Sequence, residues 1–336
     1  MYKLRHLDTQ TWWDVAQQCA DATFFHTPLW AEIALRTHPH LTDATQGFIL
    51  PSGVRAIFPL LATRRLGPLQ SLMSTFEYCY GGIISDGPIS AYDLKRLYQH
   101  ICGWNVTGLR FLESPLGMRH DLTPSFLGQA YETHIVRLDT DFDTFFTHLP
   151  KDRRNAYRKG SREGVRVEVA TSYEAYQDYY RVYQDTIRRW GEDPAHYGYR
   201  WEIFDTIWSL AQEYPNLIKL WVAYLDGKII AGNLMFYWNR HSVAWHGCAY
   251  TEYLRYKPYV MLDIELVRDA MNQGYAYYDL NPTGDLRSSI TTYKAQLGTQ
   301  VYPVTSWQYQ HPLLLRGRQL YQYLRQRSVA QEAHHE

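Results

Sequence analysis

The stretch 217-LIKLWVAYLDGKIIAGNLMFYW-238 decides the fold. Two runs rich in aromatic and β-branched residues flank Asp226-Gly227, a dipeptide that favours a two-residue hairpin turn. Residues 241–250 supply a third strand and close an antiparallel meander. Working outward, 172–190 and 197–214 read as helices separated by Gly191 and Pro194. Before them, 142–149 reads as a short helix, 151–164 as a basic segment and 165–170 as a strand. After the meander come a helix over 259–272, a short strand over 275–280 and a helix over 287–296 that stops at Gly298. Residues 299–308 form a last strand, and 313–327 a basic helix.

The first half carries similar signals. Helical periodicity marks 10–19 and 29–36, the second following the turn-like His26-Thr27-Pro28. Strands are predicted over 46–50 and 54–63 around Pro51-Ser52-Gly53, then a helix over 91–103 and strands over 108–113 and 131–138. Each half runs helices, hairpin, helix, strand. The reading is therefore α/β (α+β), with two tandem domains, each a mixed and mostly antiparallel sheet flanked by helices. The predicted division is 1–139, 140–310 and a basic C-terminal helix and tail over 311–336.

Composition narrows the function classes. The chain has 336 residues, 34 basic and 34 acidic, so no global field draws it onto nucleic acid or membrane. The four cysteines, Cys19, Cys79, Cys102 and Cys248, lack zinc-ligand spacing and read as buried thiols. His241 and His246, five apart on one strand, are expected on opposite faces, and no metal site is predicted. Asp263 and Glu265, two apart on a helix, do not face each other. The N-terminus lacks an apolar signal-peptide core, and no apolar run reaches the roughly 18 residues of a membrane span. The expectation is a cytoplasmic protein; the arginines between Arg316 and Arg327 fit a solvated C-terminal helix better than a peripheral contact with an anionic inner membrane surface or with RNA. Oligomeric state is not legible.

Several local sequences then converge. Lys151-Asp152-Arg153-Arg154-Asn155-Ala156-Tyr157-Arg158-Lys159, followed by Gly164-Val165-Arg166-Val167, resembles the opening of the second domain in FemAB-like transferases. Tyr277-Tyr278-Asp279-Leu280 is similar to that family's Y-D-F strand end, and Tyr293-Lys294-Ala295-Gln296-Leu297-Gly298 to its F-K-x-x-F-G segment. Phe24-Phe25-His26-Thr27-Pro28-Leu29-Trp30 and Tyr80-Gly81-Gly82 extend the resemblance into the first half. It implies tandem GNAT-like (acyl-CoA N-acyltransferase-like) domains and transfer of an amino acid from aminoacyl-tRNA to a peptidoglycan precursor. A related CelD/BioF-like set occurs near polysaccharide genes. Three features depart from the pattern. Tyr293 and Leu297 replace phenylalanines, Asn281-Pro282-Thr283-Gly284 replaces a glycine pair, and 172–214 is too short for an inserted coiled-coil arm.

The resemblance places Lys294 at the reacting centre, where its charge suits a developing oxyanion. Read alone, it fits a solvent-facing lysine on an amphipathic helix better; the motif context reverses that preference. Asp279 ends a short apolar strand and could take or orient the acceptor's proton, or cap the turn that follows. Tyr293 is a third catalytic candidate, packing on the donor or lending a hydroxyl. Residues 151–166 hold seven basic and two acidic side chains. Arg154 and Arg158, sharing a helical face, and the adjacent Arg153 are candidate phosphate ligands or a solvated surface. Glu77, Tyr78 and Tyr80 form a candidate substrate cluster. No permanent cofactor is expected; the donor is aminoacyl-tRNA or a thioester of CoA or acyl carrier protein, and the acceptor a cell-wall or glycan precursor. Leu254-Arg255-Tyr256-Lys257-Pro258-Tyr259 lacks the glycine cluster of an acetyl-CoA pyrophosphate loop. Two other functions fit: N-acylation of a small amine or amino sugar, and a catalytically silent pair that binds a glycan or partner.

Overall fold

The computed structural model describes residues 1–4, 6–64, 67–74, 76–117, 121–282 and 288–314. The basic helix expected over 313–327 lies outside the described residues from 315 onward, as does the 283–287 part of the loop after Pro282.

The hairpin at Asp226-Gly227 forms as its chemistry requires. Both residues take positive φ, 50° and 78°, and Leu225 pairs with Lys228 across the turn. Ile218–Leu225, Lys228–Trp238 and His241–Ala249 make the antiparallel meander, with Arg166–Val169 on its outer edge. The helices Tyr173–Arg189 and Trp201–Glu213 cover one face, and Pro258–Asn272 the other. Tyr277–Asp279 then runs parallel to the start of His241–Ala249. A right-handed crossover through Pro258–Asn272 is the usual way to make such a pairing.

The two halves are joined more intimately than a tandem requires. Leu127–Arg137 pairs with Tyr277–Asp279, and Gln300–Gln310 sits between Leu127–Arg137 and Val106–Leu112. The last strand of the second half is thus an interior strand of the first. Beyond it lie Gln70–Met73, Leu61–Arg64 and Leu41–Asp43, giving one eleven-stranded mixed sheet among the described residues. A smaller sheet holds Tyr2–Lys3, Gln46–Ile49, Arg55–Phe58 and Ile84–Ser85. The core crosses the junction as well: Phe24 of the first half stacks on Phe236 of the second at 4.4 Å.

Two expectations need correcting. The strand predicted over 54–63 is two strands in different sheets, Arg55–Phe58 and Leu61–Arg64, broken at Pro59, which has no N–H to continue the ladder. His241 and His246 share a face rather than opposing each other. The register shifts between Leu234 and Met235, so Leu234 faces His246 and Trp238 faces His241, and both partners belong to the same core cluster. One extra residue in a strand reverses the alternation. Among the described residues no group of metal-ligating side chains assembles, and no helix is long and apolar enough to cross a membrane. All four cysteines are free thiols.

Candidate active site

The short strand Tyr277–Asp279 delivers Asp279 to the junction, where it is completely buried. A carboxylate there needs donors, and it has four. Tyr80 Oη and His241 Nε2 meet Oδ2 at 2.8 and 3.1 Å, while Thr133 Oγ1 and the Asn281 amide donate to Oδ1, both at 2.8 Å. The Asn281 contact is the turn cap expected from sequence. Tyr80 and Thr133 come from the first half, so Asp279 ties the halves together.

Tyr80 reaches this place because of the two glycines after it. A Cβ on Gly81 would lie 2.1 Å from the Ser74 carbonyl oxygen, and Gly82 takes a φ of +112°. Their amides donate to Leu112 O and Ser74 Oγ at 2.8 and 2.9 Å. The motif holds the loop against the sheet so closely that only glycine fits.

Lys294 lies on the helix Ser288–Ala295 and is 9% exposed, which sets aside a solvent-facing role. Its ammonium donates to the Asn281 carbonyl oxygen at 2.6 Å. Asn281, with φ 58°, is therefore held by Asp279 through its amide and by Lys294 through its carbonyl. Burial brings the lysine pKa down to about 8, and the Asp279 and Asp263 carboxylates offset part of that fall. Tyr293, the preceding residue, turns inward. Its hydroxyl donates to Asp263 Oδ2 at 2.5 Å, and Tyr278 donates to Oδ1 at 2.9 Å. Burial holds the Asp263 pKa up despite both bonds, and pushes the Tyr293 hydroxyl well above its ordinary value.

Beside Asn281, Pro282 lines a cavity of about 270 Å³ between the halves. Glu77, Tyr78, Phe76, His38, Arg110 and Tyr131 are on its walls. Of the predicted substrate cluster, Glu77 and Tyr78 therefore line the cavity, whereas Tyr80 points to Asp279. Glu77 and Tyr78 both take left-handed φ, 51° and 56°. Two successive non-glycine residues in that region cost on the order of 1–3 kcal/mol each and concentrate where a side chain must be aimed. Burial raises the Glu77 pKa, opposed by the Tyr199 hydroxyl and the charge of Arg110.

The basic helix Lys151–Arg162 meets the site at one residue. Arg153 lies over the Tyr293 ring at 4.2 Å and donates through Nε to Gln296 Oε1 at 3.1 Å. Arg158 is exposed beside the Phe146 ring, 5.7 Å away, and Arg154 is half-buried with its Nε unpartnered. Neither forms an ion pair among the described residues.

Sequence reasoning missed Asp263, His241 and Thr133. Asp263 had a signal: it interrupts the apolar run Val260-Met261-Leu262-Asp263-Ile264-Glu265-Leu266, on a helical face otherwise buried. A lone acid at such a position needs internal partners. Pairing it only with Glu265 obscured this; Glu265 instead accepts a hydrogen bond from Tyr157. Thr133 and His241 carried no local signal, because their partner is distant in the chain.

Residues 150–295 match the acetyltransferase (GNAT) domain family. That span contains the meander, Asp263, Asp279 and Lys294. The chain has a tandem GNAT fold. FemX superposes with a TM-score of 0.71 over 94% of this chain and 98% of that one, at 12% identity. A putative lysylphosphatidylglycerol synthetase C-terminal domain from Agrobacterium fabrum gives 0.57 over 93% and 94%, at 13% identity. A tandem GNAT protein from the clavulanic acid biosynthesis pathway gives 0.50 over 90% and 94%, at 12% identity. No curated protein sequence matches the chain. At these identities the structural likeness establishes the tandem GNAT fold, and the domain match supports an acyltransferase.

Proposed function

We propose that the chain is a FemAB-like transferase that moves an aminoacyl or acyl group onto an amine of a cell-wall or cell-surface glycan precursor. The observation that carries this reading is Lys294, a buried ammonium held by the carbonyl of Asn281, the residue before the Pro282 that lines a cavity between the halves. The domain match supports acyl transfer as the reaction class, and the FemAB-like segments are consistent with it. In acyl transfer the amine lone pair attacks the donor carbonyl, a tetrahedral oxyanion forms, and it collapses as the carbon–oxygen or carbon–sulfur bond to the donor breaks, the proton given up by the amine nitrogen ending on the departing tRNA hydroxyl or thiol. Lys294 stabilises the oxyanion, in a dry site where its charge acts strongly. Asp279, already occupied by four donors, serves as a positioning residue that fixes the Asn281 carbonyl. Tyr293 anchors the lysine helix through Asp263 and leaves the chemistry to its neighbour.

A second reading has its own support. Tyr173–Arg189 and Trp201–Glu213, 17 and 13 residues long, bury their apolar faces on the meander, and no long arm extends from them to follow a tRNA. This favours a thioester of CoA or acyl carrier protein as donor, and a small amine or amino sugar as acceptor. Against ordinary CoA use, 254–259 has no glycine cluster before the helix that begins at Pro258.

Incubating the full chain with aminoacyl-tRNA, acetyl-CoA and acylated carrier protein, and scoring donor loss in the presence of an amine-bearing glycan precursor, separates the readings. Donor loss only from tRNA supports the first, and only from a thioester the second. Lys294→Met is expected to lower kcat by about 10²–10³. An unchanged kcat would remove Lys294 from the chemistry, and failure of every donor would overturn acyl transfer.

A further inference from the structure

The cavity beside Pro282 is lined by two opposite charges that sense each other without forming an ion pair. Glu77 and Arg110 both line it, yet neither forms an ion pair, with the other or with any other described residue. Among the described residues the Arg110 guanidinium makes one weak hydrogen bond, to Met73 Sδ at 3.8 Å. Glu77 has the Tyr199 hydroxyl beside it and stands on the left-handed Glu77-Tyr78 pair. Arg110 is exposed at the cavity mouth and Glu77 is half-buried, so the guanidinium keeps its water while the carboxylate has lost part of its own. Glu77 stands on a left-handed backbone and Arg110 on the strand Val106–Leu112, so the two charges are presented to the cavity from separate elements.

The remaining walls set size and polarity. Phe76, Tyr78, Phe111 and Tyr131 give aromatic surface, and Leu41, Leu112 and Met73 aliphatic surface. His38 packs edge-on against Phe76 at 5.0 Å, and burial lowers its pKa, favouring the neutral ring. About 270 Å³ lies just below the usual range for small-molecule pockets, so the occupant is small.

We propose that this cavity binds a zwitterionic unit of the acceptor, an ammonium and a carboxylate a few bonds apart, with Glu77 meeting the ammonium, Arg110 the carboxylate and the aromatic wall the carbon chain. This deepens the amine-acceptor reading and rests on it for its meaning, though not for its test. Two sources present the same chemistry: a free amino acid, and a diamino acid at the carboxyl end of a peptide. The geometry speaks for the shared unit, and the probes below distinguish the sources.

The test is direct binding to the full chain by calorimetry, with matched pairs that differ only in the carboxylate: L-alanine with ethylamine, L-ornithine with putrescine, L-lysine with cadaverine. Glycyl-L-lysine represents the peptide source. At least one amino acid is expected to bind about tenfold or more tighter than its decarboxylated partner, as for a charge-assisted bond. Arg110→Met should erase that difference while leaving the amine's own affinity, and Glu77→Gln should weaken both members of the pair. Preference for the dipeptide over lysine assigns the peptide source, and the reverse the free amino acid. Equal binding within every pair, no binding by any probe, or discrimination that survives Arg110→Met overturns the proposal. Binding with the expected discrimination but no transfer from any donor would leave the cavity assignment standing and remove the reaction. Transfer to amines without carboxylate discrimination would do the opposite.

Discussion

Asp279 and Asp263 are both fully buried carboxylates near Lys294, and they are built in opposite ways. Asp279 gathers donors from both halves: Tyr80 and Thr133 from the first, His241 and the Asn281 amide from the second. Asp263 takes its hydrogen bonds from within the second half, from Tyr278 and Tyr293. The first acts as a clasp across the junction, and the second fixes one helix and the electrostatic surroundings of one lysine. Burial alone therefore does not say what an acid does; the origin of its donors does.

The comparison breaks most sharply at Asp279. Asp279→Ala strands two hydroxyls, an imidazole and an amide, and is expected to cost about 3–5 kcal/mol in denaturant unfolding. A cost below about 1 kcal/mol would show that the junction does not depend on it. Tyr80→Phe removes one donor, at about 1–3 kcal/mol, and should couple strongly to Asp279→Asn in a double-mutant cycle. Additive effects would separate the pair.

Asp263 should be felt more in titration than in stability. With Lys294 charged below about 8 and neutral above, an oxyanion-stabilising role makes kcat fall as pH rises through that value. Lys294→Arg should move this alkaline limb well upward, because guanidinium stays charged. Asp263→Asn should move it downward, since the Asp263 charge helps keep the lysine protonated. A limb that ignores both variants belongs to another group. The same shift has a sign in stability. Between about 8 and 10.5 the folded chain binds fewer protons at Lys294 than the unfolded chain, so its contribution to stability increases with pH across that window. The smallest effect is expected at Arg153→Ala, where losing the cation–π contact with Tyr293 should cost under about 1 kcal/mol.

Much of this was legible in the chain. Asp226-Gly227 disclosed the meander, and the segments around Asp279 and Lys294 marked two residues that the structure buries against Asn281. Tyr80-Gly81-Gly82 was legible as a motif, but its purpose was not. The glycines serve a close approach to Ser74, and the tyrosine a carboxylate nearly two hundred positions away. His241 and Thr133 were hidden for the same reason: a polar side chain reveals its partner only when the partner is near in sequence. The shared face of His241 and His246 depended on one extra residue in a ladder, which periodicity does not register.

The strand Gln300–Gln310 carries a consequence for how the molecule comes into being. A ribosome that has released all of Val106–Leu112 and Leu127–Arg137 has not yet made the segment that sits between them. During synthesis those two strands each keep an unpaired margin until the second half has passed through the exit tunnel. The nascent first half is therefore exposed to mispairing for most of its translation time, and a holding chaperone would find its target there.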